Sequence, residues 1–175
     1  MKKSSINPMP PHFDVYINRV EDIELNQALD KSMQQLNDLN MPRLQSIGDS
    51  VYEPGKWTVP QILQHIIDSE RVFAYRALRL SRNDKTPLAG FDQELFIKNR
   101  NPIQRDLGSL LAELKAVKQS TLLLYQSFSD EMLLRTGICS NTEMTPLSLG
   151  FTIVGHQMHH LKIVEERYLP LLAKN

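Results

Sequence analysis

Cysteine is almost missing from this chain: Cys139 is the single one among 175 residues. One thiol excludes an internal disulfide and a cysteine-built metal cluster, and it fits a reducing compartment. Charge excess is missing too, because 20 basic and 20 acidic side chains cancel and no block of one sign stands out. A balanced chain has no long-range field to attract DNA, RNA or an anionic membrane, so neither nucleic acid nor membrane is expected as a partner. Long apolar runs are lacking as well. The stretch from Leu147 to Val154 is interrupted by Ser148, Gly150 and Thr152 and falls far below the roughly 20 residues that span a bilayer. Met1 to Phe13 carry Lys2 and Lys3, then Ser, Asn and Pro, with no apolar stretch of signal-peptide length. A soluble, cytoplasmic protein is the expectation, built as a single domain over residues 1–175 with enough chain to bury a core.

Strand-type alternation and internal repeats are absent from the pattern, whereas helical spacing recurs throughout. Residues 1–13, with prolines at 8, 10 and 11, read as an extended lead. After Asp22, a plausible N-cap, Leu25, Leu29, Met33, Leu36 and Leu39 follow at helical spacing until Met41-Pro42 ends the pattern. Arg43 to Lys56, with Gly48, Pro54 and Gly55, reads as a long connection. Thr58 and Gln61 form a capping box, with Pro60 in the first turn, for a second helix running to about Arg82. Asn83 to Phe91 is a loop, and Asp92 caps a short helical piece to Lys98. Pro102 is expected to open a third helix, with Leu107, Leu110, Leu114, Val117, Thr121, Leu124 and Phe128 as its seam. Ser129 to Met144 reads as a loop, and Thr145-Pro146 starts a last helix that is apolar on two sides. Four bundle-length helices with long connections predict an all-α four-helix bundle.

Against this apolar background, three imidazoles stand out. His65 lies beside the apolar stripe of the second helix, and His156 with His160 falls on one face of the last, four residues apart. Polar rings inside apolar helices need a partner, and one divalent ion satisfies three of them together. Three nitrogens and an open fourth position are the ligand pattern of a catalytic site, whereas a structural site closes that position with protein. A glutamate between the paired histidines would suggest a zinc protease, but Gln157 stands there. Asp68 and Ser69, one turn after His65, and His159, between the pair, are candidates to hydrogen-bond a ligand imidazole or a bound water. Glu70 points away from His65 and is expected to pair with Arg71, Arg76 or another helix, and Arg76 is too far along to share the site. Cys139 has no activating charge nearby in sequence, and His12 is expected at the surface.

The stretch Trp57-Thr58-Val59-Pro60-Gln61-Ile62-Leu63-Gln64-His65-Ile66-Ile67-Asp68-Ser69-Glu70-Arg71, then Phe73 to Arg79, Gly90-Phe91-Asp92 and Gly155-His156-Gln157-Met158-His159-His160-Leu161, resembles the DinB-like superfamily, including its YfiT-like branch. The resemblance implies an up-up-down-down four-helix bundle with long crossover connections, often a homodimer. It implies a divalent ion, zinc or nickel first and manganese or iron after, on His65, His156 and His160. It also implies a thiol S-transferase of the bacillithiol or glutathione type, or a hydrolase, acting on a small molecule such as a low-molecular-weight thiol. Many relatives carry Glu where this chain has Gln157, which removes an acid–base group from that position. The alternative is a non-catalytic, stress-associated metal-binding or interaction bundle.

Overall fold

The computed structural model describes residues 1–100 and 105–173. Among the described residues the helices are α1 (Asp14–Ile17), α2 (Leu25–Asn37), α3 (Met41–Ile47), α4 (Val59–Ser81), α5 (Gln93–Lys98), α6 (Leu107–Gln126), α7 (Asp130–Leu133) and α8 (Pro146–Ile163). A π-helical turn, Val164–Tyr168, and a 3-10 segment, Leu169–Ala173, continue α8. Helices α2, α4, α6 and α8 form the bundle. Helix α4 packs against α6 and α8, and α2 packs against the same two. Helices α2 and α4 therefore sit on one diagonal and α6 and α8 on the other, which only long connections permit.

The caps explain where the main helices begin. The Thr58 hydroxyl accepts from the Gln61 amide while the Gln61 side chain accepts from the Thr58 amide, and Thr145 with Ser148 repeats the exchange at α8. Several expectations are corrected. Helix α2 starts at Leu25 with Glu24 as its N-cap, and the Asp22 carboxylate instead accepts from the Ser4 amide at 2.8 Å. Pro42 does not close a helix but sits in the first turn of α3, whose N-cap Asn40 accepts from the Arg43 amide. The first five residues of the expected long connection, Arg43 to Ile47, are thus helical, because Pro tolerates a first turn as readily as it ends a last one. Pro102 lies outside the described residues, and α6 is capped by Asp106 at Leu107. The lead is not wholly extended, since Lys3–Ser5 form a 3-10 turn and Lys2 bridges Glu24. In the segment expected to be loop, β1 (Gly137–Cys139) pairs antiparallel with β2 (Thr142–Met144). Ser140 and Asn141 turn the hairpin at positive φ, and strands of three residues are too short to show alternation.

Two apolar clusters fill the bundle. One gathers Leu29, Phe73, Leu80, Tyr125, Leu149 and Val154, the other Leu36, Ile62, Ile66, Leu110, Leu114 and Val164. Between them runs a buried polar layer: Ser32 on α2, His65, Ser69 and Glu70 on α4, Lys118 and Thr121 on α6, and His156, Gln157 and His160 on α8. No helix among the described residues is long and apolar enough to cross a membrane.

Candidate metal centre

Within the polar layer, the three histidines named from the sequence come together. Nε2 of His65 lies 3.0 Å from Nε2 of His156, which lies 3.2 Å from Nε2 of His160. All three rings are buried, with exposures of 3%, 4% and 9%. A linear hydrogen bond to or from the central His156 nitrogen serves only one of its two neighbours, so the rings by themselves leave a contact unsatisfied. Two nitrogens on one tetrahedral zinc-type ion stand roughly 3.3 Å apart, so the observed spacing and the neutral donor set fit a divalent cation.

Burial dominates the electrostatics. It holds His65 down at about 4 and His160 at about 3, with neighbouring histidines and, for His160, Arg19 adding to the effect. His156 is pushed well below the usual imidazole range, first by burial and then by His160, His65, His159 and the Lys118 ammonium. Near neutral pH the trio is uncharged, and its lone pairs are available to a cation.

The walls come from distant parts of the chain. The Trp57 ring lies 4.8 Å from that of His65, and its indole N–H donates to Glu94 Oε2 at 3.2 Å, tying the segment before α4 to α5. Tyr16 on α1 packs edge-on to His156 at 5.2 Å, and Phe73 does so at 5.8 Å. Gly155 makes the Tyr16 contact possible, because a Cβ there would fall 2.0 Å from the Tyr16 carbonyl oxygen. A cavity of about 210 Å³ opens onto His160 between Tyr52, Lys56, Trp57, Glu94 and Tyr168. The Tyr168 hydroxyl donates to the Trp57 carbonyl, and burial pushes that phenol up to about 12. A larger cavity, about 340 Å³, lies between α2, α3 and the end of α8 and is lined by none of the three histidines.

The other sequence candidates separate. Ser69 Oγ lies 3.4 Å from His65 Nδ1, on the side of the ring away from the trio's meeting point. Asp68 instead accepts from Gln64 Nε2 at 2.9 Å, and burial raises its carboxyl. His159 is half-buried, with its ring 4.9 Å from that of His160 and 5.6 Å from that of Tyr16. Glu70 pairs with Lys118 of α6 rather than with Arg71 or Arg76. Arg76 is buried, donating to the Ala89 carbonyl at 2.7 Å and to Ser140 Oγ at 2.8 Å. Cys139 is buried in β1 and its thiol is pushed up, which makes it a poor nucleophile; His12 is exposed. Sequence reasoning missed Tyr16, Trp57 and Glu94 as walls of the site, and Lys118 in its polar layer. Lys118 alone had a local signal, standing four residues after Leu114 and four before Leu122 on a buried face.

The family model for the DinB superfamily matches residues 14–164. This chain belongs to the DinB superfamily. Among solved structures, this DinB chain is similar to YfiT from Bacillus subtilis, described as "a probable metal-dependent hydrolase with an unusual four-helix bundle topology". The two are 20% identical, with 95% of this chain and 90% of that one covered and a TM-score of 0.67, which shows a shared four-helix-bundle fold. No curated protein matches the chain at a significant level.

Proposed function

We propose that this DinB chain is a metal-dependent hydrolase, holding one divalent ion, zinc or nickel, through Nε2 of His65, His156 and His160. The observation that carries the reading is the convergence of three buried, uncharged imidazole nitrogens beside a cavity that reaches only one of them, His160. An ion so held supplies Lewis acidity, polarising a carbonyl or lowering the pKa of a bound water or thiol. The protein's own groups do the rest. Ser69 touches Nδ1 of His65, which leaves Nε2 to face the other two rings. Trp57, Tyr16 and Phe73 shield the imidazoles from bulk water, so that charge in the site is weakly screened. The cavity between Trp57, Tyr52 and Tyr168 admits a small molecule to the His160 side.

The likeness to YfiT supports hydrolysis, and thiol S-transfer is the alternative reaction compatible with the same open side. The diagonal placement of α2 with α4 and of α6 with α8, with α4 beside α6, supports the up-up-down-down order of the resembled bundle. Elemental analysis of the purified full-length chain, beside a panel of ester, amide and thiol-conjugation assays, tests the reading. About one divalent ion per chain is expected, with ion and turnover both lost in His156→Ala. Full turnover by metal-free protein would sink it.

A further inference from the structure

The cavity at His160 carries two opposite charges on its rim. Lys56 and Glu94 both line it, the first in the segment before α4 and the second on α5. Neither forms an ion pair among the described residues, with each other or with any third group. Glu94 is held by one oxygen only, Oε2, on the Trp57 indole, which leaves Oε1 to other donors. Lys56 is placed by the turn that Gly55 makes at φ +82°, where its amide donates to the Glu53 carbonyl. Trp57, Tyr52 and Tyr168 line the same cavity, and aromatic side chains can both attract a cation and cover an alkyl body.

We infer that this cavity selects small zwitterions, molecules with an ammonium and a carboxylate on a short apolar body, with Glu94 receiving the ammonium and Lys56 the carboxylate. The inference rests on the reading of this cavity as the substrate chamber. Charge complementarity carries it: two exposed charges of opposite sign, neither in an ion pair among the described residues, line one cavity of about 210 Å³ and favour a ligand that brings both signs. The volume restricts the class to amino-acid-sized molecules.

Trp57 is the single tryptophan of the chain, so its fluorescence reports on the cavity without any need for turnover. The as-purified full-length protein is titrated with glycine, γ-aminobutyrate and ε-aminocaproate, and with butylamine and butyrate as singly charged controls, its metal content being measured on the same sample. At least one zwitterion is expected to bind about tenfold more tightly than either control. Lys56→Gln and Glu94→Gln should each erase that preference; the second keeps an oxygen acceptor for the indole. Equal binding of zwitterions and controls, no binding at all, or a preference that survives both substitutions overturns the inference. A sample without metal that still prefers the zwitterion refutes the metalloenzyme reading and leaves the selectivity standing.

Discussion

Nζ of Lys118 lies 2.7 Å from Oε2 of Glu70, with the two side chains 0% and 2% exposed, so α6 and α4 are joined by an ion pair sealed inside the bundle. It sits in the same polar layer as the histidines, and its ammonium helps to keep His156 uncharged. The contact lacks hydrogen-bond alignment, and Oε1 of Glu70 meets no donor among the described residues. Such a pair is dispensable as a pair but not singly, because removing one partner strands the other charge in a dry interior. Lys118→Met alone should cost about 3–5 kcal/mol, whereas Glu70→Leu combined with Lys118→Met should recover most of that loss. Urea denaturation of wild type, Lys118→Met and the double variant decides it, and a double variant no more stable than Lys118→Met would contradict the pairing.

Gly155 and Tyr16 set a second expectation. A Cβ on residue 155 would overlap the Tyr16 carbonyl oxygen and carbon, both backbone atoms that cannot rotate aside. Gly155→Ala should therefore displace α1 and its ring from His156, at a cost of about 1–3 kcal/mol from overpacking. The thermal midpoint should fall, and hydrogen exchange should quicken in residues 13–20. Unchanged exchange there would show that α1 does not rest on Gly155.

Acid should weaken the chelated protein well above the range where carboxylates titrate. His65 and His160 are held at about 4 and about 3 when folded, against about 6.5 for an unfolded imidazole. Lowered folded values mean that the unfolded chain takes up protons first. Their contribution is complete above about pH 6.5 and is lost progressively as pH falls toward the folded values. The total is on the order of a few kcal/mol. Denaturant midpoints measured from about pH 7 down to pH 4.5 should decline, and a His65→Gln, His160→Gln variant should show a shallower slope.

Added zinc or nickel should stabilise the folded chain by linkage. At about a hundredfold excess over the dissociation constant the gain is about 2.7 kcal/mol, read as a rise in melting temperature. His65→Ala, His156→Ala and His160→Ala should each abolish the rise. A metal-induced shift that survives in His156→Ala would place the ion elsewhere.

Much of the framework was legible because its causes are local. The Thr58 capping box and the Thr145 N-cap followed by Pro146 act over a few residues, so the starts of α4 and α8 are legible in the sequence. The three histidines were recognisable as polar rings in apolar helices. The α3 helix was hidden, because Asn40 and Pro42 can end one helix or begin the next and seven residues carry little periodicity. The hairpin at 137–144 was hidden for want of length. Lys118 is masked by a seam whose leucines already account for the helix. Glu94 and Tyr16 gave no signal, since each reaches the site from a separate element through contacts with Trp57 and His156.

By itself the sequence determined which segments become the long helices, which of their faces are apolar, and that three imidazoles fall on two of those helices. Caps, turn residues and the 3.6-residue period decide such matters, and they act within a few residues. Only the tertiary structure decided that the three nitrogens meet within 3.0 and 3.2 Å, that the polar layer lies between two apolar clusters, and that Lys56 and Glu94 face one cavity. Those outcomes depend on how far each helix slides and turns against its neighbours. That offset is fixed by the packing of side chains far apart in the chain, and no local pattern encodes it.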